Sequence, residues 1–190
     1  MHPLIDRATF EEVGEEPDVH FRLDNRESRC FVECVKEMEV LLDSLQHLQH
    51  RHFINIALSF LEKAFFAEGL AWGFEQLLWH IVSIDALLGP ERGNKKNFSE
   101  RVARLIGDDD EDEERISSDT GKLYDFRSKF VHGEQSEKDV FLGHLTSART
   151  TARECLVTFL RRLSREIQSG NVKSDATRET ILDVVLKPPP

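Results

Sequence analysis

Apolar residues recur every three to four positions over most of the chain, which is the period of an amphipathic α-helix. The spacing predicts helices at about 27–48, 53–65, 70–88, 99–106, 116–131 and 139–169, with a further short helix at 177–186. No segment alternates apolar and polar residues as a half-buried β-strand would. The pattern therefore predicts an all-α fold, an antiparallel helical bundle of about five to six helices joined by short links.

Three local signals refine this layout. The segment 70–88 is apolar nearly all round, so we expect it in the middle of the bundle, ending at Gly89 and Pro90. Ser99 is expected to be the N-cap of the short helix that Gly107 ends. The acidic run Asp108–Glu114 is expected to form a loop before the next helix.

Length and composition favour one domain in three parts. A chain of 190 residues with 39% hydrophobic residues can bury a core of its own. We expect an acidic N-terminal segment over 1–26, the helical bundle over 27–170, and a C-terminal tail with a short helix over 171–190. Neither an apolar leader nor a charge-free apolar span is visible, which predicts a cytoplasmic protein with no membrane partner.

The net charge of −10 is unevenly distributed. Residues 1–50 carry a net −7, and the acidic run Asp108–Glu114 supplies seven more negative charges. The segments 51–107 and 122–173 together carry a net +5. The acidic total therefore excludes a generally basic nucleic-acid coat protein but not an RNA partner, which would approach away from the acidic run or compete with it.

Cofactor and metal chemistry is not indicated. Three cysteines, of which only Cys30 and Cys34 are close in sequence, fit a reducing compartment and provide no zinc-ligand spacing. The histidines at 47, 50 and 52 fit polar positions near a helix junction better than a metal site. We therefore expect no cofactor and no metal.

Two charges of opposite sign fall on apolar helix faces. Asp85 projects with the apolar side of the central helix, and Arg127 projects about 40° from Leu123 on the helix that ends at Gly133. A carboxylate or guanidinium buried without a partner is costly. Mutual pairing is the simplest solution, which would be structural, although Asp85 could also reach solvent past Gly89.

His132 follows Arg127 by five residues and points about 140° away on a straight helix. A histidine at a helix C-terminus is most often a cap whose charged form the helix dipole favours. Spacing alone therefore does not bring Arg127 and His132 together.

The segment LYDFRSKFVHGE (123–134) resembles the signature of the Apea-like branch of the HEPN (higher eukaryotes and prokaryotes nucleotide-binding) superfamily. Three upstream segments are similar to that branch in the same order: FINIALSFLEKA (53–64), IVSIDALLG (81–89) and FSERVARLIG (98–107). The resemblance covers about residues 51–165.

The resemblance implies an all-α homodimer in which the Arg and His of two subunits meet to form a metal-independent ribonuclease site. On this chain the implied catalytic residues are Arg127 and His132, with Ser128 and Asp85 in support. Histidine can act as general acid or base near neutral pH, and arginine can stabilise a phosphate. A ribose 2′-hydroxyl would be the nucleophile, so RNA would be the substrate.

Ser128 departs from the Asn, Asp or His that often follows the arginine in active members of the superfamily. A non-catalytic dimerisation or nucleotide-binding module that regulates a partner protein, such as an antitoxin, is therefore the alternative to an endoribonuclease of the defence or toxin class. Further candidates for contacts with RNA phosphates are Lys129, Arg149 and Arg153. A solvated basic face explains the arginines of the last long helix better than RNA contacts do.

Overall fold

The computed structural model of the protein describes residues 36, 39–66, 73–90, 94–134 and 142–187. The chain divides into two compact units, Met1–Met38 and Glu39–Pro190, and every described residue except Lys36 belongs to the second. The described residues form helices and no β-strands, which confirms the predicted all-α class. Cys30, Cys34 and the predicted N-terminal segment 1–26 lie outside the described residues.

Residues 39–46 are helical and precede the main elements of the bundle. These elements are α1 (His52–Phe66), α2 (Gly73–Leu88), α3 (Lys95–Ile106), α4 (Asp110–Val131), α5 (Leu142–Gln168) and α6 (Arg178–Val185). The histidine-rich junction at 47–51 separates the helical residues 39–46 from α1.

Helices α3 and α4 form an antiparallel pair. Lys95 at the start of α3 forms an ion pair with Asp125 in the second half of α4. At the other end, a Cβ on Gly107 would meet the side chain of Glu113 in the first turn of α4. The close approach at both ends shows that the two helices run in opposite directions.

The central position predicted for the segment 70–88 is confirmed, since α2 is buried on most of its surface. Five side chains of α2 are at most 1% exposed: Leu77, Ile81, Ile84, Leu87 and Leu88. Its polar stripe is buried as well, with Gln76, His80 and Ser83 between 2% and 8% exposed. The Ser83 hydroxyl donates a 2.7 Å hydrogen bond to the Ala57 carbonyl of α1, which satisfies one of these buried polar groups.

The apolar core has two parts. The larger joins all six helices α1 to α6, with Ile116 as the contribution of α4, and includes an edge-to-face contact of Phe53 and Phe159 with ring centroids 6.0 Å apart. The smaller consists of Leu77, Ile81, Leu123, Phe126 and Ala148, from α2, α4 and α5. Leu123 and Phe126 thereby hold the C-terminal half of α4 against the bundle, directly beside Arg127.

Two predicted helix starts are wrong. Helix α3 begins at Lys95 with Asn94 as its N-cap, because the Asn94 side chain accepts a hydrogen bond from the Asn97 N–H at 2.7 Å. Ser99 instead lies buried inside the helix, where its hydroxyl donates to the Lys95 carbonyl. The acidic run is also not a loop, since α4 begins at Asp110 with Asp109 as its N-cap.

The C-terminal segment 171–187 packs into the same core as the bundle. Helix α6 lies where the sequence predicts a short helix, and Ile181, Leu182 and Val185 on it are at most 1% exposed. The Arg162 guanidinium of α5 donates a hydrogen bond to the Val185 carbonyl at 3.3 Å. Helix α6 therefore folds back along α5 and covers part of its apolar face.

Candidate functional site at the C-terminal end of helix α4

Helix α4 stops at His132-Gly133, as the sequence predicts, and the structure shows that it ends in a Schellman motif. Gly133 has φ of +73°, a left-handed conformation that glycine adopts without a Cβ penalty. Its N–H donates to the Phe130 carbonyl at 2.9 Å, and the Glu134 N–H donates to the Lys129 carbonyl at 2.8 Å. These bonds satisfy two carbonyls of the last turn and fix His132 as the C-cap.

His132 is exposed at this helix end. Its backbone N–H donates to the Ser128 carbonyl at 3.1 Å, so the last turn of the helix fixes the position of the His132 backbone. The residue itself is accessible to solvent. Among the described residues no hydrogen bond or ion pair joins His132 to Arg127. Within one chain, therefore, the structure does not assemble these two predicted catalytic residues into a single site.

Arg127 instead contacts Asp85, and the predicted pairing of these two charges is confirmed. The nearest guanidinium nitrogen lies 3.6 Å from a carboxylate oxygen of Asp85, across the contact between α4 and α2. Each side chain is 33% exposed, so neither charge is buried, and Asp85 both pairs with Arg127 and reaches solvent. Asp85 lies near the end of α2, where solvent reaches both partners.

Gly89 makes room for the Asp85 carboxylate. The first residue after α2 is buried, and its N–H donates to the Asp85 carbonyl at 2.7 Å. A Cβ at this position would collide with both the carboxylate and the main-chain carbonyl of Asp85. Gly89 thus ends the helix, as predicted, and also permits the orientation in which Asp85 faces Arg127.

Two further arginines bind the C-terminal end of α2, and sequence reasoning did not identify either. Arg178 donates to the Gly89 carbonyl at 2.6 Å, and Arg101 donates to the Leu88 carbonyl at 3.1 Å. Glu179 accepts hydrogen bonds from both guanidiniums. Cations at a helix C-terminus satisfy its free carbonyls and oppose the negative end of the dipole. No local sequence pattern could reveal these contacts, because the partners come from α3 and α6.

The remaining predicted site residues are spread over two helices. On α4, Ser128 is half-buried and Lys129 is exposed, each one or two residues beyond Arg127. On α5, Arg149 and Arg153 are exposed, and the guanidinium carbon of Arg149 lies 5.9 Å from the ring centroid of Phe65.

His80 is a buried titratable group that the candidate site does not use. Only 3% of the residue is exposed, and its Nδ1 accepts no hydrogen bond from any described residue. Burial lowers the pKa of His80 to about 4, and the positive charge of Arg149 is the second, smaller cause. The imidazole is therefore neutral at neutral pH. The Cys155 thiol is also buried, which raises its pKa and makes it a poor nucleophile.

The described part of the chain contains neither a cluster of metal ligands nor a helix that could span a membrane. No group of three or more His, Cys, Asp or Glu side chains there is arranged to hold a metal ion. His47, His50 and His52 are each exposed. None of the described helices combines the length and apolar character needed to cross a bilayer.

Comparison with known proteins adds no further assignment. No family model matches the chain, and neither a curated protein nor a solved structure matches it significantly.

Proposed function

We propose that this protein is a HEPN-type homodimer of the bacterial defence or toxin class that binds RNA and cleaves it without a metal. Arg127 and His132 from both subunits would form the composite site. The observation that supports this most directly is the end of α4, where an exposed histidine and a partly exposed arginine lie five residues apart at one capped helix terminus.

The chemistry requires only these two side-chain types. His132 would take the proton of a ribose 2′-hydroxyl or return one to the leaving oxygen, since imidazole titrates near neutral pH. Arg127 would stabilise the charge that builds on the phosphate, exchanging its 3.6 Å contact with Asp85 for a contact with the phosphate. Asp85 would position the guanidinium until RNA binds, and Ser128 would supply a hydroxyl beside it.

A second copy of the chain would complete the site, because one copy leaves Arg127 and His132 apart. Val131, the last residue of α4 and the neighbour of His132, is 63% exposed. A large apolar side chain at this exposure is favoured by burial against a partner. We therefore place the dimer contact at the C-terminal end of α4.

The alternative is a non-catalytic HEPN module that dimerises or binds a nucleotide and regulates a partner protein such as an antitoxin. The Asp85–Arg127 ion pair favours this alternative, since a guanidinium engaged with a carboxylate can serve structure alone. Ser128 in place of a more polar neighbour agrees with it.

The two functions differ in their response to RNA. In the presence of a chelator, purified protein should cut single-stranded RNA, and Arg127→Ala or His132→Ala should lower the rate by at least about a hundredfold. Arg115→Ala and His50→Ala are matched controls, because Arg115 is ion-paired on the same helix and His50 is exposed. Gel electrophoresis of labelled RNA measures the rate. Uncut RNA with folded wild-type protein, or cutting by a monomer, would contradict the proposal.

A further inference from the structure

An open groove of about 970 Å³ lies between α4 and α5. Helix α4 lines this groove with one face between Asp112 and Thr120, and α5 lines it with a facing stripe between Ser147 and Glu154. The two helices come together in the C-terminal half of α4, where the ring centroids of Phe126 and His144 are 5.4 Å apart. The groove therefore occupies the part of the α4–α5 contact that includes the acidic run.

The lining of the α4–α5 groove is strongly negative. Among the described residues that line it, the only cation is Arg115, and the carboxylates are Asp108, Asp109, Glu111, Asp112, Asp119 and Glu154. Arg115 is ion-paired with Asp112, and Lys122, outside the lining, is ion-paired with Asp119. The remaining carboxylates form no ion pair with any residue that the structure describes, so the groove has an excess of negative charge.

The start of helix α4 accounts for only part of this charge. Carboxylates in a first turn interact favourably with the helix dipole, and Asp109 caps α4 by accepting from the Asp112 N–H at 2.8 Å. Asp119 lies beyond the first turn, and Glu154 belongs to α5, so neither acid is stabilised in this way. The hydrogen bond with Asp112 raises the pKa of Arg115, and the charges of Asp119 and Glu154 add to this rise. Carboxylates from two helices thus face the same space.

A buried hydroxyl in the groove lining has no partner within the described part of the protein. Thr120 is 2% exposed, yet its side chain forms no hydrogen bond with any described residue. Buried hydroxyls are normally hydrogen-bonded, because an unsatisfied one loses its bonds to water without replacement. Thr120 belongs to the lining, so a ligand in the groove is the partner that it can still acquire. Thr150 and Thr151 of α5 line the same groove.

We propose that the α4–α5 groove binds a linear polyamine, a chain of ammonium groups joined by short methylene segments. Ammonium groups only donate hydrogen bonds, and the polar atoms of the lining are mostly carboxylate and hydroxyl oxygens that accept them. The methylene segments would lie against Ile106 and Ile116, which contribute apolar surface to the lining. This site is separate from Arg127 and His132 and does not depend on the function proposed for them.

Two other kinds of cation fit the groove less well. A divalent metal ion needs several oxygen ligands around one point, and no group of acidic side chains in the described part of the chain is arranged to hold one. A lysine-rich peptide would bring backbone carbonyls that need donors. The guanidinium of Arg115 is already engaged with Asp112, which leaves mainly acceptors in the described lining. A polyamine brings no acceptors of its own.

Isothermal titration calorimetry of the full chain with spermine and with spermidine tests the proposal, at low salt and at about 150 mM salt. We expect a single polyamine per chain, with spermine bound more tightly because it carries more ammonium groups. For Asp119→Asn/Glu154→Gln we expect a Kd for spermine at least about tenfold weaker. Neither acid caps α4, so the variant should stay folded, which circular dichroism checks.

Glu62→Gln/Asp175→Asn is the matched control, because both acids are exposed, lie outside the groove lining and remove the same charge. Its Kd for spermine should change by less than about twofold at the higher salt concentration. Equal weakening in the two double variants would mean that spermine responds only to net charge, and would overturn the proposal. Absence of wild-type binding, or an unchanged Kd in the groove variant, would overturn it as well.

Thr120→Val tests the buried hydroxyl separately. It should weaken spermine binding by about threefold or more, while the free energy of unfolding stays equal or rises, because the hydroxyl has no partner in the protein to lose. A lower stability with an unchanged Kd would assign the hydroxyl a structural role and remove the support that Thr120 gives to the site. Tighter binding of a capped oligolysine with as many positive charges as spermine, lost in the groove variant, would assign the groove to a basic protein segment and overturn the proposal.

Discussion

At the scale of single residues, Asp85 and Arg127 show what a helical projection can predict. It predicts that the two charges pair more readily than it predicts how far solvent reaches the pair. Two opposite charges on apolar faces must be satisfied, so their pairing follows from burial costs alone. Their 33% exposure does not follow, because it depends on where the end of α2 meets solvent. The same holds for Gly89, whose role beside the carboxylate is visible only in three dimensions.

This exposure sets the energy that the pair should contribute. An ion pair at 3.6 Å that solvent reaches, with no hydrogen bond, contributes roughly 0.2–1 kcal/mol. A double-mutant cycle of Asp85→Asn and Arg127→Ala, measured by urea unfolding, should give a coupling energy in this range. The exposed pair Asp119–Lys122 on α4 serves as the reference. A coupling of about 3 kcal/mol or more would indicate a buried pair instead.

At the scale of elements, the start of α4 explains why the acidic run was misread as a loop. Seven consecutive acids suggest a solvated segment, but carboxylates at a helix N-terminus interact favourably with the dipole. Asp109 accepts a hydrogen bond from the Asp112 N–H at 2.8 Å, and four acids occupy the first turn. A hydrogen bond from Arg115 lowers the pKa of Asp112 and keeps it charged. Deleting the run would therefore remove the start of the helix.

Helix α6 shows the opposite case, because its existence was predictable but its packing was not. Eight residues have too few turns to be stable alone, so the helix depends on the core that it joins. The N-cap Thr177 is a local signal that sequence contains, and its side chain accepts from the Thr180 N–H. Which face of the bundle receives Ile181 and Leu182 is set by the turn after α5.

Substitution on α6 should therefore destabilise the whole domain. Leu182 is fully buried, so Leu182→Ala should lower the free energy of unfolding by about 2–5 kcal/mol through lost burial and a cavity. Asp183→Ala, on the exposed side of the same helix, should change it by less than about 0.5 kcal/mol. Urea unfolding followed by circular dichroism measures both. Similar small effects would mean that α6 is a loosely attached tail.

At the scale of the whole molecule, the acidic run contributes side chains to two grooves on either side of the start of α4. A groove of about 970 Å³ between α4 and α5 is lined by acids of the run and by Asp119 and Glu154, with hydroxyls of α5 beside them. A second groove, of about 490 Å³, borders the other side of the α4 start, where Glu113 of the run lies with Asp183 and the cations Arg101, Arg104 and Lys187. An RNA backbone should avoid the first groove, since like charges repel.

The stability of the whole molecule should depend on one buried histidine as the pH falls. The pKa of His80 is about 4 in the folded protein and about 6.5 when the chain unfolds. Below pH 6.5 the unfolded chain takes up a proton that the folded protein does not, so stability decreases towards pH 4. From these two pKa values the loss is roughly 2 kcal/mol at pH 5 relative to pH 7.

His80→Gln removes this proton uptake, so the difference in unfolding free energy between variant and wild type should shift by roughly 2 kcal/mol in favour of the variant between pH 7 and pH 5. Using the difference cancels the titration of every other group. His52→Gln, at an exposed position on α1, should show a difference that hardly changes with pH. Urea titrations at several pH values measure both. Parallel stability curves for His80→Gln and wild type would mean that the folded protein accommodates the charged imidazole, which the 3% exposure of His80 argues against.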